Sequence, residues 1–320
     1  MTGTIVVCGA RGFVGGHLVT ALGAAGVPVR AGTRDVARAR AQRPELDWVA
    51  LDVEDEASLD AAFAGAEAIV YLVHQMRERD RNLVLLERQS ATRVRKAAER
   101  AGVRRIVYLG GPVPAGAASE HLVARLQTGE ALRAGSLSTI ELRAGMIIGA
   151  KSQSWLIVRD LALRLPVMVL PQWLRSRSQP IGVDDVVAAL VHAIRIDSDR
   201  SAFYDLPGPE ILDGRQILER VGGSVGMKPI MIPVPVLTPR LSSYWLWLVT
   251  RADYGIARKL VSGLLSDLVS EDDGFWAIAP HLRRTPLDEA IRRALDAEAS
   301  EPMARFPALV EKTIRKLRAD

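Results

Sequence analysis

Short apolar runs alternate, through the first half of the chain, with stretches whose apolar residues recur every three or four positions. Thr4–Cys8, Val27–Thr33, Leu46–Leu51, Ala68–Val73 and Arg105–Leu109 read as strands, and Ser138–Arg143 leads into a sixth. Gly15–Ala25, Val36–Gln42, Glu56–Phe63, Arg81–Ala101 and Ala118–Arg133 read as helices between them. Gly26 and Gly102 stand where a helix C-terminus takes a left-handed residue. Strands alternating with helices imply a parallel sheet with right-handed crossovers. Strands one, four and five are nearly continuous in apolar residues, the pattern of strands covered on both faces. The fold class expected is α/β, a doubly wound parallel sheet.

The texture changes near Ala150. Prolines gather at Pro166, Pro171, Pro180, Pro207, Pro209, Pro229, Pro233, Pro235 and Pro239, and tryptophans at Trp155, Trp173, Trp245, Trp247 and Trp276. Residues 1–150 are expected to form one domain and 151–320 a smaller C-terminal lobe. The lobe is interleaved with the core through about 180–208, because Val183–Ile194 reads as a helix returning to the sheet. Leu241, Trp245 and Leu248 fall at helical spacing, with Trp247 off that stripe. Core packing, an apolar substrate pocket or lid, and contact with a membrane surface or partner protein are all open for this stripe.

The first strand runs into Gly9-Ala10-Arg11-Gly12-Phe13-Val14-Gly15, and a helical pattern follows. Glycines allow a tight turn and a close backbone approach, and the next helix aims its N-terminal amides at an anion. In that order the segment predicts a dinucleotide pyrophosphate site. The end of strand two selects between nicotinamide cofactors. An acid there would bond the ribose 2′-hydroxyl of NAD; this chain has Thr33 and Arg34, and a planar cation suits a 2′-phosphate. Arg11 offers a second cation. NADP is therefore expected, although Asp35 follows immediately. Asp52 and Val53, after strand three, suit an adenine pocket, and Leu72, Val73 and His74 would run past the pyrophosphate and ribose.

Composition narrows the setting. Cys8 is the one cysteine, so no internal disulfide can form, and a buried small hydrophobe is its expected role. The net charge of +5 arises from 42 basic and 37 acidic residues spread along 320 positions. No polybasic tail or basic–aromatic interleaving points to nucleic acid. No apolar run approaches the ~20 residues of a membrane span, and with strand one at Thr4 no leader is expected before it. A cytoplasmic protein is expected. His17, His74, His121, His192 and His281 show no metal-ligand spacing. Asp184 and Asp185 form a carboxylate pair, expected to cap the helix beginning at Val186.

The glycine turn resembles the G-x-x-G-x-x-G of the short-chain dehydrogenase/reductase superfamily, in its extended and atypical branches. Further matches are Tyr71-Leu72-Val73-His74, Arg105 through Gly111, Glu141 through Gly149, Leu165-Pro166-Val167-Met168, Ser178 through Val186 and Leu241 through Trp245. Together they resemble the atypical YbjT-like and NmrA-like NAD(P)-binding proteins over nearly the whole chain. The resemblance implies a Rossmann-type sheet and extends the cofactor contacts to Leu109, Gly110, Gly111, Arg125, Ala144, Gly145 and Met146.

It also implies a Ser-Tyr-Lys catalytic set, which this chain lacks. His121 and Arg125 stand at the Y-x-x-x-K positions, and Gly110-Gly111-Pro112 where the serine falls. A protonated imidazole, of pKa near ~6.5, can donate at neutral pH. Arg125 would depress that pKa while offering donors to ribose hydroxyls. His121 stands between a proton donor and a structural or substrate-contacting histidine. The expected function is an NADP-dependent oxidoreductase acting on a fairly apolar carbonyl or enone. A cofactor-dependent isomerase or cyclase is a variant. The alternative is a non-catalytic NADP-binding sensor, regulatory or assembly protein. A homo-oligomer or a partner protein fits either.

Overall fold

The computed structural model describes residues 3–74, 82–114, 116, 118–165, 167–234, 266–270 and 272–299. Seven strands form one sheet in the order β11-β6-β5-β4-β1-β2-β3, and every neighbouring pair is parallel. They are β1 (Thr4–Cys8), β2 (Val29–Thr33), β3 (Asp47–Ala50), β4 (Ala66–Tyr71), β5 (Arg105–Gly110), β6 (Ser138–Arg143) and β11 (Ala202–Asp205). This is the expected Rossmann-type parallel sheet with flanking helices and a smaller C-terminal lobe.

Strand side chains alternate between two helical layers. Ile5, Val7, Ala68, Val70, Val107 and Leu109 join one core, with α1 (Phe13–Ala24), α2 (Val36–Gln42) and α7 (Val183–Arg195). Val6, Cys8, Ile69, Tyr71, Ile106 and Tyr108 join the other, with α3 (Glu56–Phe63), α4 (Leu83–Arg100) and α5 (Glu120–Arg133). The central strands are buried on both faces, which is why their sequences carry so few polar residues.

A third core lies in the lobe, built from Trp155, Leu161, Leu174, Ile217, Leu218 and Ile291 among others. It joins α6 (Gln153–Arg164), α8 (Gly214–Gly223) and α10 (Leu287–Ala299). Beside it are three two-stranded pieces. They pair β7 (Ile147–Ile148) with β10 (Ile181–Gly182), β9 (Arg177–Ser178) with β12 (Leu212–Asp213), and β8 (Val167–Pro171) with β13 (Ile230–Val234). A short α9 (Gly274–Ile278) presses Phe275 and Trp276 into the first core. Chain from the second half therefore covers and widens the sheet, α7 against α1 and β11 along its edge.

Local chemistry sets the helix ends. Asp35 accepts from the Arg38 amide at 3.0 Å, and Asp55 from the Ala57 amide at 3.0 Å, capping α2 and α3. Ser119 caps α5, so that helix starts at Glu120 rather than Ala118. Gly26 and Gly102 have φ of 68° and 65°, as their places after α1 and α4 require. Buried Arg105 closes the C-terminal end of α7, donating to the carbonyls of Ala193, Ile194, Ile196 and Ser198. The cation there meets the negative end of the helix dipole.

Two expectations change. The first helix begins at Phe13, with Gly12 at its N-cap, because the glycine turn itself enters the helix. The Asp184–Asp185 pair does not cap its helix, which begins at Val183 behind an uncapped Gly182. Asp185 instead accepts from the Thr285 amide and hydroxyl, both at 2.7 Å, fastening the start of α10 to α7. Exposed Asp184 pairs with Arg293 at 2.7 Å. Arg81 and the Leu241–Leu248 stripe, with Trp245 and Trp247, lie outside the described residues. Among the described residues no helix is long and apolar enough to cross a membrane.

Removing a buried acceptor strands the donors it satisfied, which costs about 1–3 kcal/mol. Asp185→Ala is expected to lower unfolding free energy in urea by about that amount, against about 0.5 kcal/mol or less for Asp184→Ala. Equal losses in the two variants would show that the Thr285 bonds do not fasten the lobe.

Candidate functional site

The strand order reverses at β1: the chain builds outward through β2 and β3, then returns to β4 on the other side. Parallel α/β sheets open a crevice at such a point, beyond the carboxyl ends of the strands. The glycine turn occupies it. Gly9 has φ of 86°, and a Cβ there would lie 3.2 Å from the Leu72 carbonyl, so the turn packs directly on the exit of β4. Gly15 packs α1 onto the turn: a Cβ would sit 3.0 Å from the Ala10 Cα and press on the Gly9 carbonyl oxygen. The first turn of α1 carries no acidic residue and no side-chain cap. Its amides are the orphan donors of a helix N-terminus, suited to a phosphate.

Beside the turn lies a cavity of about 530 Å³ between the sheet's carboxyl edge and the lobe. The residues that the sequence reading assigns to the cofactor largely converge here. Gly9, Gly12, Phe13, Val14 and Gly15 line it from the turn; Leu72, Val73 and His74 from the end of β4. Leu109, Gly111, His121 and Arg125 line it from β5 and α5, and Ala144, Gly145 and Met146 from the end of β6. The lobe closes it with an apolar wall that includes Ile157, Leu161, Leu174, Ile217 and Leu218. Ser152, Gln153, Ser154, Ser176 and Ser178 add polar positions.

Other expected residues lie elsewhere. Ala10 and Arg11 line a neighbouring open groove between α1 and α7, with His17, His192 and His281. Gly110 does not line the cavity: a Cβ there would come within 2.9 Å of buried Glu141. Thr33 ends β2, Arg34 follows it, and Asp52 follows β3, at the same carboxyl edge but outside the cavity lining. Val53 is buried in the core against the neighbouring helix layer. Asp35 accepts at the α2 N-cap, and exposed Arg34 stands just beyond the end of β2.

The polar centre of the cavity is a chain of three side chains. Glu87, buried on α4, meets His74 Nδ1 at 2.5 Å. His74 Nε2 lies 2.8 Å from His121 Nδ1, with ring centroids 4.3 Å apart. His121 lies in the first turn of α5. One turn further on, Arg125 folds its stem over Gly111, where a Cβ would come within 3.0 Å of the Arg125 Cδ. Its Nε is buried and meets no acceptor among the described residues. A free donor in the wall and a glycine cradle beside it are features that fit a phosphorylated, hydroxyl-bearing nucleotide.

Tyr108 also reaches this wall, but as packing. Burial raises its phenol to about 12, and its hydroxyl donates to the Arg125 carbonyl at 3.2 Å. Burial pushes the Cys8 thiol up as well, so it stays protonated under the turn. Among the described residues no cluster of His, Cys, Asp and Glu could hold a metal. Glu87 is the residue that sequence reading missed. Its signal is an acid on the inward stripe of α4, among Leu83, Ser90, Ala91 and Val94.

Residues 9–165 match the family described as NAD(P)H-binding. The chain is 27% identical over 280 residues to a 3-diazoavenalumate denitrifying reductase of Streptomyces sp, covering 76% of this chain and 88% of that protein. It is 30% identical over 195 residues to a ceramide reductase of Caulobacter vibrioides, covering 59% and 60%. The structure of Citrobacter sp. triphenylmethane reductase with NADP(H) superposes with a TM-score of 0.72 at 19% identity, over 91% of this chain and 99% of that one. The chain thus has an NAD(P)-binding Rossmann-type fold similar to these proteins.

Overfilling a packed turn costs about 1–3 kcal/mol, and here backbone crowds the added methyl. Gly15→Ala is expected to weaken NADPH and NADH binding by about tenfold or more in isothermal titration, with circular dichroism reporting on the fold. Wild-type affinity in this variant would remove the turn as the nucleotide cradle.

Proposed function

We propose that the chain is an NADP-dependent oxidoreductase of the atypical short-chain dehydrogenase/reductase class, acting on a fairly apolar carbonyl or enone. The observation that carries this reading is the Glu87–His74–His121 chain at the wall of the glycine-turn cavity. A buried carboxylate joined through one imidazole to a second beside the glycine turn is an arrangement suited to holding and delivering a proton. The chain's motifs resemble the YbjT-like and NmrA-like proteins, and the Streptomyces and Caulobacter relatives described above are named as reductases.

When bound, the reduced nicotinamide would supply hydride. The pyrophosphate belongs on the amides of Phe13 and Val14 and against Gly9 and Gly12. Arg34 would meet the 2′-phosphate. Asp52 would take the adenine amino group, and Arg125 the nicotinamide ribose. The residues after 150 form the substrate side. Ile157, Leu161, Leu174, Ile217 and Leu218 exclude water and hold an apolar skeleton. His121 would give its proton to the substrate oxygen or carbon that becomes basic on reduction. The lost tyrosine and lysine positions thus hold a donor and a fixed cation. An enone suits this arrangement because it makes lighter demands on the donor than alcohol oxidation does.

Charge-assisted contacts to a phosphate contribute about 1.5–3 kcal/mol. Arg34→Ala should therefore weaken NADPH by about tenfold or more while leaving NADH within about threefold. Equal losses would sink the assignment to NADP. With NADPH and a panel of apolar carbonyls and enones, hydride transfer is expected. Losing a general acid typically costs about 10²–10⁴-fold, so His121→Ala should reduce kcat by that order. Tight NADPH binding with no turnover across the panel would count against the enzyme.

A further inference from the structure

We infer that His74 and His121 act as one acid that holds a single proton between them, with buried Glu87 as the positioning residue that keeps it there. This deepens the oxidoreductase reading, on which its catalytic use rests.

The geometry leaves few tautomers. A carboxylate can only accept, so Glu87 at 2.5 Å requires a proton on His74 Nδ1. His74 Nε2 and His121 Nδ1, 2.8 Å apart, share one hydrogen in either direction. In the protonated pair, His74 is the imidazolium, donating from Nδ1 to Glu87 and from Nε2 to His121. His121 is then neutral, with its remaining proton on Nε2, the nitrogen that His74 does not engage. Release of that proton to substrate draws the shared hydrogen across to His121 Nδ1. The pair ends with two neutral rings, one proton fewer, and the carboxylate still ionised. Solvent restores the proton after turnover.

This arrangement answers the objection that Arg125 raises. A positive charge on His121 would lie one helical turn from a fixed guanidinium, which disfavours it. In the pair the charge lies on His74 instead, against Glu87 and away from Arg125. Among the described residues, the groups near the pair on neighbouring elements do not compete for the proton. Tyr71 on β4 and Tyr108 on β5 are held protonated by burial, as is Cys8 on β1. Arg125 on α5 and Lys151 at the cavity wall are cations. The carboxylate of Glu87 thus lies against a ring whose positive charge it can stabilise.

The test is a pH titration of the histidine ring nitrogens by NMR, on protein without cofactor or substrate. In the wild type, signals of His74 and His121 should follow one common step, with His74 Nδ1 protonated on both sides of it. Two independent steps would overturn the inference, and this measurement needs no variant. Glu87→Gln keeps the shape and removes the charge, so the pair should lose its proton about one pH unit or more lower, about a tenfold drop in proton affinity. An unchanged midpoint in folded Glu87→Gln also overturns it. Where a panel substrate turns over, the same variant should move the fall of kcat/KM with rising pH to lower pH by the same amount. Because the titration uses neither cofactor nor substrate, its failure is distinguishable from failure of the oxidoreductase reading.

Discussion

Burial of β1 on both faces is the constraint on which the rest depends. Ile5 and Val7 enter one helical layer, Val6 and Cys8 the other, and no side chain of that strand can serve solvent except at its end. A strand so enclosed must have neighbours on both edges and helices above and below. Parallel pairing then brings the carboxyl ends of β1, β4, β5 and β6 to one edge of the sheet. The residues with chemistry follow immediately after those ends: the Gly9 turn, His74, Gly111 and Met146. The site is a consequence of the sheet's direction rather than of any local motif alone.

The same logic sets which polar groups stand beside the cavity. Tyr108 is close, but burial keeps its proton in place and its hydroxyl serves the Arg125 carbonyl. Two imidazoles and a carboxylate occupy the space between α4, β4 and α5 instead. Each comes from a different element, so their alignment depends on α4 and α5 packing side by side. Buried charge elsewhere plays a different part. Arg105 closes α7, and Glu141 pairs with Arg133 and Arg143, whose guanidinium lies 3.9 Å from the Phe203 ring centroid. These groups tie the edge of the sheet to its last strand. They lie away from the cavity lining and show that a buried ion pair is not by itself a functional mark.

The chain's own pattern determined the parallel sheet, the helix positions to within a few residues, and the glycine turn with its phosphate-ready helix. These are local: a strand enclosed on both faces, a glycine with positive φ and a capped helix are each written in consecutive residues. The C-terminal glycines and the Asp35 cap follow from the same short-range rules. The tertiary structure decided what those rules cannot reach. Glu87 reads as one acid on an otherwise inward stripe, and its partner is 13 positions away in sequence. His74 reads as a residue passing a ribose, yet it meets Glu87 and His121. Asp185 reads as a helix cap and proves to fasten a segment 100 positions on. In each case a polar side chain buried in low dielectric needed a partner, and only the folding of distant elements onto one edge could supply it.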